Sequence, residues 1–334
     1  MSHHAPPAAP SRSWHDFLIE HAQVLSITLF FILCCVLFSI LSPFFLMPDN
    51  LLNVLRQMAP LLVTAVGMTF VITTGGIDLS VGSIVALTNA VCALALQAGL
   101  PWPIATLLVL LLGGIVGLAQ GWFVSYQKIP SFIVTLAGLS ILRGIALLLT
   151  RGYSIPIDEP SAAPLLTLGR GWILGFPIPA LLAIVILAAG AFVLRETRYG
   201  RYVTAVGANA EAARRVGIPS ARILTSVFVL TGVTSALAGL LIAGRLGSGS
   251  SNTAEGFELD VIAAVVLGGT SLLGGTGTIL GTVLGALTIG VIGNGLILVH
   301  TSPFLVQIVT GAIILLAIWL NTRIFGRLSA GRKG

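Results

Sequence analysis

Charge is what this sequence has least of. Charged residues make up 8% of its 334 positions, against about 25% in a soluble globular domain. So few charges cannot cover a water-facing surface. The chain therefore reads as a polytopic membrane protein, and a soluble enzyme, a disordered chain and a secreted disulfide scaffold are excluded. Cysteine is scarce too. Of the three, Cys34 and Cys35 adjoin in one apolar run and Cys92 sits in another. None has a metal-ligand neighbour, and each reads as a small apolar residue. Four of the five histidines, His3, His4, His15 and His21, lie at the N-terminus, and His300 falls in a loop. There is no HExxH, no CxxC and no Asp/His cluster such as a membrane hydrolase needs. A phosphate loop is also missing: Gly274-Gly275-Thr276-Gly277-Thr278 lacks the lysine that would reach phosphates. The expectation is a chain with no catalytic residues, metal or cofactor of its own. The net charge of +6 is ascribed to cytoplasmic loops, where basic residues of membrane proteins collect, and not to a nucleic-acid partner.

What is present is apolar sequence. Hydrophobic residues make up 56%, and mean hydropathy is +1.04. Ten segments read as membrane spans: roughly 23–46, 58–75, 81–97, 102–126, 131–150, 173–194, 221–243, 259–273, 278–299 and 304–320. Residues 1–21 read as a disordered cytoplasmic tail, 22–322 as the transmembrane domain and 323–334 as a basic cytoplasmic tail. Ten crossings with the N-terminus inside place twelve of the 17 basic residues in the cytoplasm, leaving Arg56, Arg151, Arg170 and Arg245 outside and Arg143 within a span. That asymmetry supports both termini inside. The fold expected is all-α, with about ten transmembrane helices and broken-helix segments at the Gly-rich joints 75–80 and 274–278. The stretch 75–82 (GGIDLSVG) echoes 268–275 (GGTSLLGG), and transporter folds often repeat interrupted helices at corresponding places. Gly113, Gly117 and Gly121 recur on one helix face, as do Gly281 and Gly285, which allows close backbone packing.

Asp78 is the one carboxylate set well inside the apolar region ahead of the outer loops. A charge there costs about 3 kcal/mol on insertion scales and needs a partner, water or a role. Two compatible readings follow. Asp78 caps the helix that starts near Leu79, or it belongs to a polar path with Ser80, Ser83 and Asn89. Arg143 is the one basic residue in mid-span, about 20 Å beyond Pro130 at 1.5 Å per residue. It is the fifth path candidate; a pair with Asp78 is possible, but their expected depths differ.

The polar loop 195–222 is inside by charge and contains a marked short helix. Asn209 is a good N-cap, and Glu211 sits in the first turn, where the helix dipole favours an anion. Arg214 and Arg215 sit at the end, where it favours cations. Gly217 can close the helix in the left-handed conformation, and Pro219 prevents its continuation. A loop of this length with its own helix favours docking of a cytoplasmic partner.

Four long segments, 67–87, 128–150, 198–218 and 256–287, make the chain resemble the transmembrane permease subunits of bacterial ABC importers for simple sugars, the ribose/xylose/arabinose type. The resemblance covers nearly the whole membrane region, residues 50–321. It implies an inner-membrane permease, paired with a second permease subunit in a homodimer. An ATP-binding cassette ATPase below would bind the ATP and Mg, and a periplasmic sugar-binding protein above would deliver the solute. Glu211, Ala212, Ala213 and Gly217 match the Glu-Ala-Ala-x-x-x-Gly signature that docks the ATPase in ABC permeases. Phe257 stands where many relatives carry Tyr. The alternatives fit less well. An ion-coupled secondary carrier would normally place several carboxylates or histidines at mid-membrane, and a membrane enzyme would need a catalytic cluster.

Overall fold

The computed structural model describes residues 22–157, 160–302 and 304–312, with residues 315 and 319. The tails at 1–21 and 323–334, and residues 313, 314, 316–318 and 320 of the expected last span, lie outside the described residues. The order is α1 (Ala22–Leu41), α2 (Pro48–Thr73), α3 (Val81–Gln97), α4 (Trp102–Ser125) and α5 (Ser131–Thr150). An irregular segment follows with β1 (Ile155–Pro156), α6 (Ala163–Arg170) and the hairpin β2 (Trp172–Ile173) and β3 (Phe176–Pro177). Then come α7 (Ile178–Glu196), α8 (Arg198–Ala208), α9 (Ala210–Arg215), α10 (Ser220–Leu246), β4 (Ser248–Gly249), α11 (Phe257–Leu267) and α12 (Ile279–Leu298). Residues 304–312 are also helical. Strand β1 pairs antiparallel with β4, and β2 with β3.

Seven described helices are long and apolar enough to cross a membrane: α1, α2, α4, α5, α7, α10 and α12. Helix α3 is apolar but has only 17 residues. The segment 259–273, expected as a full span, holds only the eleven-residue α11. At 1.5 Å per residue α11 covers about half of a hydrocarbon core about 30 Å thick. It stops because Gly268 and Gly269 follow, the latter at φ +91°.

Helix α10 is the hub, packed by α4, α2, α3 and α6. It and α2 are mostly buried, whereas α1, α4 and α5 turn most of their apolar surface outward. Leu29, Ile40 and Leu148 are 70% or more exposed. Lipid tails are as apolar as these side chains, so close packing, and not water exclusion, must hold the bundle together. Small residues provide it. Gly113 meets the Gly232 backbone, Gly117 that of Phe228 and Gly121 that of Thr225, so this glycine face serves the contact of α4 with α10 in the same chain. Gly281 and Gly285 likewise bring α12 onto Gly268 and Ala264 of the α11 segment. The buried threonines Thr69, Thr73 and Thr231 donate to the carbonyl four residues back, which satisfies their hydroxyl protons in an apolar medium.

Candidate functional site

The echo between 75–82 and 268–275 is realised as two chain breaks. Break 1, residues 74–80, joins α2 to α3 and turns at Gly75, φ +80°. Break 2, residues 268–278, joins α11 to α12 and turns at Gly269, Gly274 and Gly275, all with positive φ. The breaks touch: Gly275 N–H donates to the Thr73 carbonyl at 2.9 Å. Above this contact the hydroxyls of Thr69 on α2 and Thr282 on α12 bond at 2.8 Å.

Asp78 is completely buried in break 1. Its Oδ1 accepts from the Ser80 backbone N–H at 2.9 Å and from the Ser80 hydroxyl at 2.6 Å. The residue that caps α3 is Ser80, and no side chain bonds a free N–H of that helix. Asp78 therefore does not cap a helix starting at Leu79. It closes an Asx-type turn two residues earlier, a local bond for which Asp is suited. Gln120 on α4 donates to the Ser80 oxygen at 2.8 Å. This gives a buried chain from Gln120 to Ser80 to Asp78, with the Asp78 Oδ2 left without a partner. Gly138 on α5 makes room for the Gln120 amide. Break 1 is also tied to α5: Ile77 N–H donates to Ser131 Oγ at 3.0 Å, and Ser83 Oγ donates to the Leu139 carbonyl at 2.8 Å.

Asn89 and Arg143 hold a different segment, the polar stretch 250–254 that leads into α11. Arg143 Nη1 donates to the carbonyls of Ser251 at 2.5 Å and Thr253 at 2.8 Å, and its Nη2 to that of Ala254 at 3.2 Å. Asn89 Oδ1 accepts from Ser250 N–H at 2.6 Å, and Thr150 Oγ1 donates to Ser251 Oγ at 2.9 Å. Arg143 thus binds carbonyls where a pair with Asp78 was conceivable. Glu258, at the start of α11, presses on Gly82 and keeps a buried oxygen without a partner. The five path candidates fall into two groups: Asp78, Ser80 and Ser83 brace break 1, while Asn89 and Arg143 brace the 250–254 segment. Beside that segment lies a cavity of about 380 Å³, lined by Gln57, Arg245, Thr253, Ala254 and Phe257 among others. Sequence reading missed Gln120, Ser251 and Glu258. The amide of Gln120 within an apolar glycine-faced helix was the available signal.

The loop between α7 and α10 forms the expected short helix, α9, and one more helix, α8. Thr197 caps α8, accepting from Gly200 N–H at 3.2 Å. Asn209 caps α9, its Oδ1 accepting from Ala212 N–H at 2.8 Å. Gly217 ends it at φ +87°, with Ile218 N–H donating to the Ala213 carbonyl at 3.0 Å. Glu211 bonds Arg214 at 3.0 Å and Arg215 at 3.4 Å. The Arg214 guanidinium, first by its hydrogen bond and then by its charge, holds the Glu211 carboxyl below the usual range, and Glu211 raises Arg214 in turn. One expectation changes here. Ala212 is exposed, but Ala213 is 4% exposed and packs into this chain's own core. The outward face of α9 is made by Glu211, Ala212, Arg214, Arg215 and Val216, the last 78% exposed.

Residues 50–318 match the family described as branched-chain amino acid transport system / permease component. The probable ABC transporter permease protein YphD of Escherichia coli (strain K12) is 41% identical, with 98% of each chain covered. The ribose import permease protein RbsC of Haemophilus influenzae is 40% identical over 90% of this chain and 93% of its own. The xylose transport system permease protein XylH of Escherichia coli (strain K12) is 35% identical over 83% of this chain and 86% of its own. No solved structure matches.

Proposed function

The chain belongs to the branched-chain amino acid transport system / permease component family, and from that premise we infer that it is the membrane-spanning permease subunit of an ABC importer for a simple sugar. Likeness to a ribose and a xylose permease over more than four fifths of each chain carries the reading. The family description mentions amino acids, whereas the ribose and xylose permeases are named for sugars, so a pentose, hexose or related polyol is the proposed solute.

The finer assignments rest on this reading. The subunit is proposed to cross the bacterial inner membrane ten times, the half-length α11 completing its crossing through break 2, with both termini and the loop 195–222 in the cytoplasm; the excess of basic residues in those loops supports this. A second permease copy completes the path. A periplasmic binding protein delivers the sugar, and an ATP-binding cassette subunit binds ATP and Mg and docks on α9. Support for docking comes from the exposed, doubly capped α9 and its Glu-Ala-Ala-x-x-x-Gly pattern. Asp78, Ser80, Ser83, Asn89 and Arg143 are proposed to shape the translocation path by fixing break 1 and the 250–254 segment, whose backbone borders the cavity.

The experiment is uptake of radiolabelled ribose or xylose into vesicles carrying the permease, its ATPase and the binding protein. Uptake is expected to require ATP on the ATPase side and to survive ionophores that collapse ion gradients. Uptake driven by an ion gradient without ATP would replace this function with that of a secondary carrier.

A further inference from the structure

The described polar loop reaches the helix breaks through bare backbone. Gly207 is the penultimate residue of α8, two positions before the N-cap of α9. A methyl group on Gly207 would overlap the carbonyl of Thr73, the last residue of α2 before break 1, and lie 2.6 Å from the Gly275 nitrogen of break 2. Gly274 fits the same junction from the other side: a methyl there would fall 2.7 Å from the Gly207 oxygen and 2.9 Å from the Gly75 nitrogen. The hydrogen bond from Gly275 N–H to the Thr73 carbonyl runs through the middle at 2.9 Å. Three chain segments therefore meet peptide against peptide, and the side chains that face break 2 at this junction are short ones, Thr73 against Gly277 and Ala208 against Gly275. Neither end of the junction is slack. Val203 and Val206 of α8 are buried at 0% and 2% exposure. The Ser220 hydroxyl ties the start of α10 to the Ala210 carbonyl of α9 at 3.1 Å.

We propose that Gly207 is a coupling joint through which movement of the docking helix α9 is passed to both broken segments at once. Packed backbones have discrete arrangements and deform little, so a shift of α8 must move break 1 and break 2 together. Break 1 carries the Asp78–Ser80–Gln120 chain to α4, and break 2 carries α11 and the Arg143-held segment behind it. The joint thus links the ATPase side to both walls of the proposed path. This rests on α9 being the docking element, and the test separates the two ideas.

Gly207→Ala and Gly274→Ala would be assembled with the ATPase and binding protein in vesicles, with Val216→Asp on α9 as the docking control. Three quantities are read: ATPase co-purification, ATP hydrolysis with and without sugar-loaded binding protein, and uptake of whichever of radiolabelled ribose or xylose the wild type takes up. Both glycine variants should keep co-purification within about twofold of wild type, lose uptake by about tenfold or more and no longer speed hydrolysis when loaded binding protein is added. Uptake within about twofold of wild type in either variant would overturn the joint. So would loss of the ATPase or failure to accumulate in the membrane, because the contact would then serve assembly or folding. Unchanged co-purification in Val216→Asp would instead remove α9 as the docking element.

Discussion

Asp78 is buried and Arg143 half-buried, and their different partners predict different losses. Asp78 uses Oδ1 for both of its bonds to Ser80. Asp78→Asn keeps that oxygen, so most transport should remain. Asp78→Leu strands the buried Ser80 N–H, at about 1–3 kcal/mol, while the Ser80 hydroxyl keeps Gln120 Oε1 as an acceptor at 3.1 Å. It should abolish transport while the protein still inserts. Uptake by both variants, normalised to membrane content, checks this; loss in Asn as well would mean that the charge itself is needed. Arg143 satisfies three carbonyls. Arg143→Ala removes the side-chain donor from the carbonyls of buried Ser251 and half-buried Thr253, while that of Ala254 keeps the Phe257 N–H at 3.4 Å, and is expected to lower the thermal unfolding temperature of the purified protein. Arg143→Lys, which can still donate to one or two of them, should fall in between.

At the scale of an element, α9 is six residues long and depends on its ends. Asn209→Ala removes the N-cap and should weaken the helix by about 1 kcal/mol. Gly217→Val forces a β-branched residue into the left-handed region, at about 1–2 kcal/mol. Both changes should reduce ATPase co-purification and leave membrane insertion intact. Ala213→Glu is not a clean test of docking, because that side chain is buried in its own subunit. The pH behaviour follows from Glu211. Its folded carboxyl is held low by Arg214, so its contribution is fully present above the ordinary glutamate range and is lost only as pH falls through the depressed value. ATPase co-purification should therefore be flat between about pH 6 and about pH 8, which a pull-down series checks. Both caps of α9 were legible in the sequence because capping is set by neighbours within four residues. That Ala213 faces inward was not, since either alanine suits a helix.

For the whole molecule, the prediction is sidedness. Ser154 adjoins β1 beyond the end of α5, and Thr204 lies on α8 beside the breaks; both are exposed. With Cys34, Cys35 and Cys92 replaced, Ser154→Cys should react with an impermeant reagent from the periplasmic side. Thr204→Cys should react only after the inner membrane is opened. Labelling of both from one side would remove the ten-crossing arrangement.

Hydropathy alone determined the class of the protein and placed its apolar segments, because the free energy of leaving water depends on composition and not on partners. Local chemistry determined the ends of α9. Tertiary structure decided what each polar group holds. Gln120 reaches Ser80 across forty positions, and Arg143 reaches Ser251 across 108. Gly207 meets Thr73 and Gly275, and α11 turns out to be half a span. An apolar segment in lipid carries little signal for which face meets which neighbour, since tails and side chains are equally apolar. Only the packing of the assembled helices fixes those contacts.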